Sequence, residues 1–242
     1  MPMRFTLTEL LKLSLRRIHL FTKGDRTGVG VWWLAKLMPV HINLGNFNFH
    51  PYVSNQDQLR LVSSKIQHII NNRKQTNSPE DWNAGINLVT FLFDYITKIK
   101  PQVIVETGVA NGVTTRVIQA AIESSDVEFH SIDTNINCAT INVESKNWTF
   151  HHLKGNNLKK AIQSTLKSVP QVDLWIHDSD HSYLWQTFEY ELALKKLNSG
   201  GVLISDDVDF SQAWGELTKS ENIGFICTVV DEGKCFGIAQ KA

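Results

Sequence analysis

The sequence predicts an α/β protein with a doubly wound, mostly parallel central sheet. From residue 101 onward, short apolar runs alternate with stretches of helical periodicity. A turn with two glycines, Glu106-Thr-Gly-Val-Ala-Asn-Gly112, joins the first of these runs to a helix. Several apolar runs end in an acidic residue. Repeated strand–helix units build a parallel sheet covered on both faces, and ligands then bind beyond the carboxyl ends of its strands.

The periodicity predicts each element in turn. The expected strands and helices, in chain order, are strand 103–105, helix 113–123, strand 127–132, strand 148–152, helix 157–167, strand 172–177, helix 183–197, strand 202–205, a helix near 211–220, and strands 224–230 and 235–239. The last two strands flank Asp231-Glu-Gly233 and predict an antiparallel hairpin that closes the sheet. Together these elements predict a Rossmann-like sheet of seven strands.

The N-terminal part of the chain follows a different pattern. Residues 1–75 predict a helical and irregular cap, and residues 76–242 predict the ligand-binding domain. Residues 6–21 have the spacing of an amphipathic helix, which we expect to dock on the body or on a second subunit, so a homodimer is possible. Ser78, followed by proline, predicts the N-cap of another helix.

Composition excludes some partners. The chain has 242 residues and a formal net charge of zero. Residues 1–50 carry seven Lys and Arg against two acids, so the remainder is net acidic, which argues against nucleic acid as a partner. The sequence contains no apolar run of 18 residues, so we expect no stable insertion into a membrane. Three scattered cysteines fit a reducing compartment, and basic residues interrupt any N-terminal signal sequence, so we expect a cytoplasmic protein.

The glycine turn indicates a site for a ligand with hydroxyl groups and a positive charge. Gly108 and Gly112 allow the backbone to approach a ligand, and a carboxylate at Glu106 would repel phosphates. The missing G-x-G-x-x-G pattern disfavours a nicotinamide-dependent oxidoreductase. Asp133 ends the second strand, where a carboxylate can accept hydrogen bonds from both hydroxyls of a ribose.

Three further acids follow two other strands. Asp178 ends strand 172–177, and Asp206 and Asp207 end strand 202–205. Crowded carboxylates repel one another, and a divalent cation would relieve that repulsion; their hard oxygen ligands favour Mg²⁺, Mn²⁺ or Ca²⁺. The alternative interpretation is that Asp178 and Asp207 each cap the helix that follows.

A histidine lies beside these acids. His181 is three residues past Asp178, where an imidazole can accept a proton near neutral pH. Asp180 is a candidate to orient its ring. His177, which lies within the strand, is the alternative base, although packing or hydrogen bonding inside the sheet would also explain it.

The chain from about residue 80 resembles the class I S-adenosylmethionine-dependent methyltransferases. The motif from Glu106 to Gly112, with Asp133 and Asp178, carries the resemblance. Asp178-x-x-His181 followed by Asp206-Asp207 is similar to the divalent-metal-dependent O-methyltransferases of the catechol and macrolide-sugar type. The resemblance implies S-adenosylmethionine and Mg²⁺ (or Mn²⁺ or Ca²⁺) as cofactors, Asp178, Asp206 and Asp207 as metal ligands, and His181 as the base. It also implies a cofactor site formed by Glu106, Gly108, Asn111, Gly112, Asp133, Asn156 and Asp178.

The expected reaction is metal-assisted O-methylation of a small molecule such as a diol, catechol or sugar. Two alternatives on the same fold are a metal-independent methyltransferase and an iron-using relative similar to the cephalosporin hydroxylases. A third is a protein that binds S-adenosylmethionine without catalysis and serves as a partner for another protein.

Overall fold

The computed structural model describes residues 83–122, 126–141, 147–231 and 234–242, with the single residues 64, 68, 71 and 78. Apart from those single positions, the predicted cap at 1–75 and its amphipathic helix at 6–21 lie outside the described residues. The elements are α1 (Ile86–Ile99), β1 (Val103–Thr107), α2 (Val113–Ile122), β2 (Glu128–Asp133), a 3₁₀ helix (Ile136–Ile141), β3 (Trp148–His152), α3 (Leu158–Thr165), β4 (Val172–His177), α4 (Tyr183–Lys196), β5 (Leu197–Ser205), α5 (Ala213–Leu217), β6 (Ile223–Asp231) and β7 (Lys234–Lys241).

The strands form one seven-stranded sheet in the order β3-β2-β1-β4-β5-β7-β6. Strands β1 to β5 pair in parallel, and β7 pairs antiparallel with both β5 and β6. The predicted mostly parallel sheet with a closing hairpin is therefore confirmed. The strand order reverses between β1 and β4, so the carboxyl ends of these two strands flank the crevice where such sheets bind ligands.

Helix α1 begins later than the sequence predicts. Its N-cap is Gly85, in an extended conformation and without a side-chain capping bond, whereas Ser78 lies outside regular structure. The prediction of Ser78 as N-cap is therefore wrong. The carbonyl of Ser78 instead accepts a hydrogen bond from the side chain of Asn111 at 3.1 Å, which ties this segment to the turn after β1.

Strand β5 is longer than predicted. It begins at Leu197 rather than at residue 202, and Leu197 pairs with Val172 across a register irregularity. The helix before it ends at Lys196. The intervening Asn-Ser-Gly-Gly sequence has the composition of a turn, but Leu197 and Val202 on either side of it both pair with β4, and the strand continues across this register irregularity.

The sheet is buried on both faces, as a parallel sheet requires. All five residues of β1 are buried. Val105, Trp175 and Leu203 pack in the cluster on one face, and Ile104, Leu174 and Ile204 pack in the cluster on the other. The apolar strands therefore fix the sheet, and the polar residues that follow them project at its carboxyl edge. Among the described residues, no helix is long and apolar enough to cross a membrane.

Candidate active site

The two glycines after β1 adopt left-handed conformations that bring the turn against other parts of the chain. Gly108 has φ +81°, and a Cβ there would lie 1.9 Å from the carbonyl oxygen of Asp178. Gly112 has φ +72°, and a Cβ there would lie 2.6 Å from a methyl carbon of Ile141. The close approach that requires glycine is therefore to the protein itself, whereas the sequence suggested approach to a ligand.

Glu106 lies at the carboxyl end of β1 and is 0% exposed. Its Oε2 accepts hydrogen bonds from Thr115 Oγ1 at 2.7 Å and from Ser131 Oγ at 2.6 Å. Its Oε1 is buried without a hydrogen-bond partner. Burial, and to a lesser degree the charge of Asp133, raise the pKa of Glu106 to about 8 against the effect of those two hydrogen bonds. The carboxyl group is therefore largely protonated at neutral pH until a positive charge lies beside it.

Asp133 braces the turn after β1. Its Oδ2 accepts hydrogen bonds from the backbone N–H of Val109 at 2.7 Å and of Ala110 at 3.3 Å. Its Oδ1 accepts from the backbone N–H of Asn135 at 2.7 Å. Each carboxylate oxygen has two lone pairs, so these three bonds leave one acceptor position, on Oδ1, for a hydroxyl of a ligand. Asp133 thus aligns the glycine turn with the end of β2.

The two predicted asparagines lie in different surroundings. Asn111 is buried, and its Nδ2 donates to the Ser78 carbonyl and, at 3.3 Å, to Asn83 Oδ1, so it connects the glycine turn to the segment before α1. Asn156 is exposed in the loop between β3 and α3. The next residue, Asn157, caps α3 by accepting a hydrogen bond from the backbone N–H of Lys160 at 3.0 Å.

Two acids and a histidine converge at the ends of β4 and β5. The Nε2 atom of His181 lies 3.9 Å from Asp178 Oδ1 and 3.9 Å from Asp207 Oδ2. Neither acid caps a helix, because the N-cap positions of α4 and α5 are Ser182 and Gln212. The capping alternative for these acids is therefore wrong.

The backbone sets this convergence. The N–H of Asp178 donates to the carbonyl of Thr107 at 2.8 Å, and the N–H of Asp206 donates to the carbonyl of His177 at 2.9 Å. Both bonds continue the parallel ladder one residue beyond the strands. Asp207 then turns away from the strand with φ +46°, a conformation that costs energy for a residue other than glycine. The acids are therefore held by the sheet itself.

Acidic side chains lie close together at this edge. The pKa of Asp178 is raised well above its usual range by burial, by the charges of Asp206 and Asp207 and, more weakly, by Glu106, while Lys234 opposes the shift. The predicted metal ligands are therefore close enough to interact. Over residues 83–242, as far as they are described, no group of three or more His, Cys, Asp or Glu side chains is arranged to hold a metal ion.

The two candidate bases, His181 and His177, differ in their exposure to solvent. The His181 side chain is 19% exposed, and its ring lies 6.1 Å from that of Phe210. His177 is 0% exposed, and its Nδ1 lies 3.0 Å from a carboxylate oxygen of Glu189. Asp180, the predicted orienting residue, accepts a hydrogen bond from the backbone N–H of Ser182 at 2.8 Å and so stabilises its own turn.

Sequence reasoning missed Glu189. This residue is 0% exposed on α4, and the side chains of Thr107, Ser179 and Trp185 donate hydrogen bonds to it. The only signal in the sequence is its helical spacing from Gln186 and Ala193, which share the buried face of α4.

The central part of the chain is similar to a known family. Residues 105–208 match the family described as a methyltransferase domain. No curated protein matches the chain. The predicted resemblance to class I methyltransferases is confirmed by the family match, which spans the segment from β1 to the acids after β5.

Solved structures with the same fold include three methyltransferases. An O-methyltransferase from Bacillus cereus in complex with SAH has 15% identity and a TM-score of 0.54, covering 82% of this chain and 95% of its own. TomG from Streptomyces achromogenes, an O-methyltransferase involved in tomaymycin synthesis and solved with SAM, has 13% identity and a TM-score of 0.53, covering 79% and 92%. A SAH-bound methyltransferase from Podospora anserina has 11% identity and a TM-score of 0.56, covering 81% and 91%. At these identities the likeness shows the fold.

Proposed function

We propose that this chain transfers a methyl group from S-adenosylmethionine to a hydroxyl group of a small molecule, with His181 as the general base. The observation that carries the proposal is the position of the His181 ring. Its Nε2 lies between the carboxylates of Asp178 and Asp207, at the sheet edge to which the glycine turn also belongs. The match of residues 105–208 to a methyltransferase domain supports the choice of reaction.

The residues after β1 and β2 fit the proposed cofactor. The buried, unpartnered Oε1 of Glu106 can accept a hydrogen bond from an ammonium group, which would also favour the ionised carboxylate. Asp133 retains one acceptor position, on Oδ1, for a ribose hydroxyl. When bound, S-adenosylmethionine supplies an electrophilic methyl group on a positively charged sulfur. Burial raises the pKa of Glu106 and makes its ionised form costly, and the proposed ammonium group would offset that cost.

The chain's own contribution to the reaction is proton transfer and alignment. His181 accepts the proton of the acceptor hydroxyl as the oxygen becomes nucleophilic. Asp178 and Asp207 lie close enough to stabilise the positive charge that the ring then acquires. Phe210 lies beside the His181 ring and provides an apolar surface against which the acceptor can pack.

A divalent metal ion would assist the proposed methyl transfer by binding the acceptor hydroxyl. Asp178, Asp206 and Asp207 provide the hard oxygen ligands that Mg²⁺, Mn²⁺ and Ca²⁺ prefer. In the described part of the chain, however, these side chains do not form a group arranged to hold a metal ion, so the fit is incomplete. The proposal therefore assigns the proton to His181 and makes metal dependence a separate outcome of the experiment.

The test is transfer of a radiolabelled methyl group from S-adenosylmethionine to catechol and to a methyl glycoside with neighbouring hydroxyls. We expect transfer by the wild type, and a fall in kcat of about 10²- to 10⁴-fold in His181→Ala with nearly unchanged affinity for S-adenosylhomocysteine. His68→Ala, at an exposed histidine, is the matched control. Loss of transfer in EDTA and its recovery with Mg²⁺ would establish the metal.

Other outcomes identify the alternatives. Cofactor binding by calorimetry without transfer to either acceptor would favour a non-catalytic partner protein. Bound iron in the purified protein, with oxidation of the acceptor in place of methylation, would favour the hydroxylase-like relative. Full activity of His181→Ala would contradict the role of His181 as the base.

A further inference from the structure

A fully buried carboxylate lies behind the segment that carries the proposed base. Glu189, on α4, is 0% exposed. Its Oε2 accepts hydrogen bonds from Ser179 Oγ at 2.7 Å and from Trp185 Nε1 at 2.8 Å. Its Oε1 accepts one from Thr107 Oγ1 and lies 3.0 Å from His177 Nδ1. Both oxygens of this buried acid are therefore occupied by donors from the protein.

These donors come from every element that meets at the β4–α4 turn, residues 178–182. Thr107 ends β1, Ser179 belongs to the turn and Trp185 lies in the first turn of α4. The donor from β4 is Trp175, whose Nε1 lies 3.4 Å from Glu189 Oε1. Trp185 Nε1 also lies 2.9 Å from Ser179 Oγ, which closes a triangle of side chains beneath the turn. One carboxylate thus connects two strands, the turn and the helix.

The donors also decide the charge of Glu189. Burial alone would raise the pKa of Glu189, but its electrostatic interaction with His177 and the hydrogen bonds from Thr107 and Ser179 lower it. A buried charge is retained only where such partners compensate its lost hydration. Removing the carboxylate would therefore leave several buried donors unpaired in one place.

We propose that Glu189 is a positioning residue that holds the β4–α4 turn, and with it Asp178 and His181, in the geometry needed for proton transfer. This inference rests on the proposed function. It identifies a residue that acts through the turn and touches neither the cofactor nor the acceptor.

The route from Glu189 to the base is short. His177, which contacts Glu189, presents its ring edge-on to that of His181 with centroids 5.6 Å apart. Ser179, which donates to Glu189, directly follows Asp178. The carbonyl of Asp178 already lies so close to Gly108 that a Cβ would not fit between them. A shift of the turn therefore moves both side chains that flank the proposed site of proton transfer.

The first experiment compares Glu189→Gln with Glu191→Gln. Glu191 is exposed two residues further along α4 and provides a matched loss of charge. In Glu189→Gln we expect kcat to fall by about 10²-fold, because a misplacement of about 1 Å has an effect of that size. The KM for S-adenosylmethionine should change far less, since the residues of the glycine turn remain. Equal kcat values for the two variants would overturn the proposal.

Two further variants guard against a Glu189→Gln protein that fails to fold. Ser179→Ala and Trp185→Phe each remove one donor from the partly buried side of the network. Each should lower kcat by about 5-fold, with strongly non-additive effects in the double variant, because both act on the same oxygen. Independent, additive losses, or unchanged kcat in both single variants, would overturn the proposal.

Hydrogen exchange separates positioning from general stability. In the folded variants, peptides covering 178–186 should exchange faster while peptides covering β5 remain unchanged. A uniform increase along the chain would indicate a structural role alone and overturn the proposal. This readout does not require turnover. Absence of methyl transfer in the wild type would therefore contradict the proposed function, while the exchange data would still decide whether Glu189 holds the turn.

Discussion

Replacing Glu106 by glutamine should remove a pH dependence of stability that the buried carboxyl group imposes. Burial, with a smaller effect of Asp133, raises the pKa of Glu106 in the folded protein from 4.5 to about 8. In the unfolded chain the group loses its proton near its ordinary pKa. Between these values the folded state holds a proton that the unfolded state has released. The free energy of unfolding therefore falls as the pH rises through this window.

The size of the effect follows from the shift. Each unit of pKa difference corresponds to about 1.4 kcal/mol, and the shift of Glu106 spans roughly 3.5 units, which gives about 5 kcal/mol in total. None of this penalty is present below the unfolded pKa, and all of it is present above about pH 8. Glutamine has no proton to lose and keeps an oxygen that can accept from Thr115 and Ser131. The wild type should thus lose stability relative to Glu106→Gln as the pH rises.

Urea unfolding measured at several pH values between about 5 and 8 tests this expectation. Glu191→Gln, at an exposed position, serves as the control and should follow the wild type. The difference in unfolding free energy between wild type and Glu106→Gln should change by about 1.4 kcal/mol per pH unit in this window. A difference that stays constant with pH would refute the reasoning.

The same group should link cofactor binding to proton release. A positive charge beside Oε1 favours the ionised carboxylate, so binding of S-adenosylmethionine near neutral pH should release up to about one proton. Calorimetry in two buffers with different ionisation enthalpies measures this number. The release should be absent in Glu106→Gln, and equal release by both proteins would place the proton elsewhere.

Two further changes test the turn after β1. Gly108→Ala should lower the unfolding free energy by at least about 2 kcal/mol and abolish binding of S-adenosylhomocysteine, because φ +81° and the Asp178 carbonyl leave no place for a Cβ. Gly237→Ala, whose Cβ would lie 2.2 Å from the Trp214 ring, is its control and should destabilise the fold while the folded fraction still binds S-adenosylhomocysteine. Asp133→Asn should weaken binding of S-adenosylhomocysteine by about 10-fold, since an amide cannot accept from Val109 and Asn135 on both sides. Calorimetry and thermal unfolding measure these effects, and unchanged affinity in Asp133→Asn would contradict the bracing role.

The parallel sheet could be predicted because its strands carry their own signal. The apolar runs at β1 and β4 are buried in the sheet, and an acid lies near the carboxyl end of each: Glu106 is the last residue but one of β1, and Asp178 directly follows β4. The extension of β5 back to Leu197 could not be predicted in this way, because it depends on pairing with Val172. The late start of α1 at Ile86 was missed because a serine followed by proline is a typical helix start on local grounds.

The site residues that could be predicted are the acids and the histidine that lie shortly after strands. His181 and the neighbouring acids follow strand ends, and the topology of a parallel sheet brings such positions together. The need for glycine at position 108 was recognised from the turn, but its cause, the carbonyl of Asp178, is a contact between distant parts of the sequence. Glu189 could not be found because a glutamate on a helix usually faces solvent. Only the fold reveals that Thr107, 82 residues away, donates to it.

Two buried glutamates illustrate how the number of donors decides what an acid can do. Glu106 and Glu189 are both 0% exposed, yet burial dominates at the first and raises its pKa, whereas hydrogen bonds and the charge of His177 lower the pKa of the second. Both donors to Glu106 contact one oxygen, which leaves Oε1 available for a cationic ligand. Glu189 has protein donors at both oxygens and so has little capacity to respond to a ligand. The first acid is therefore suited to binding the cofactor, and the second to holding the turn that carries the base.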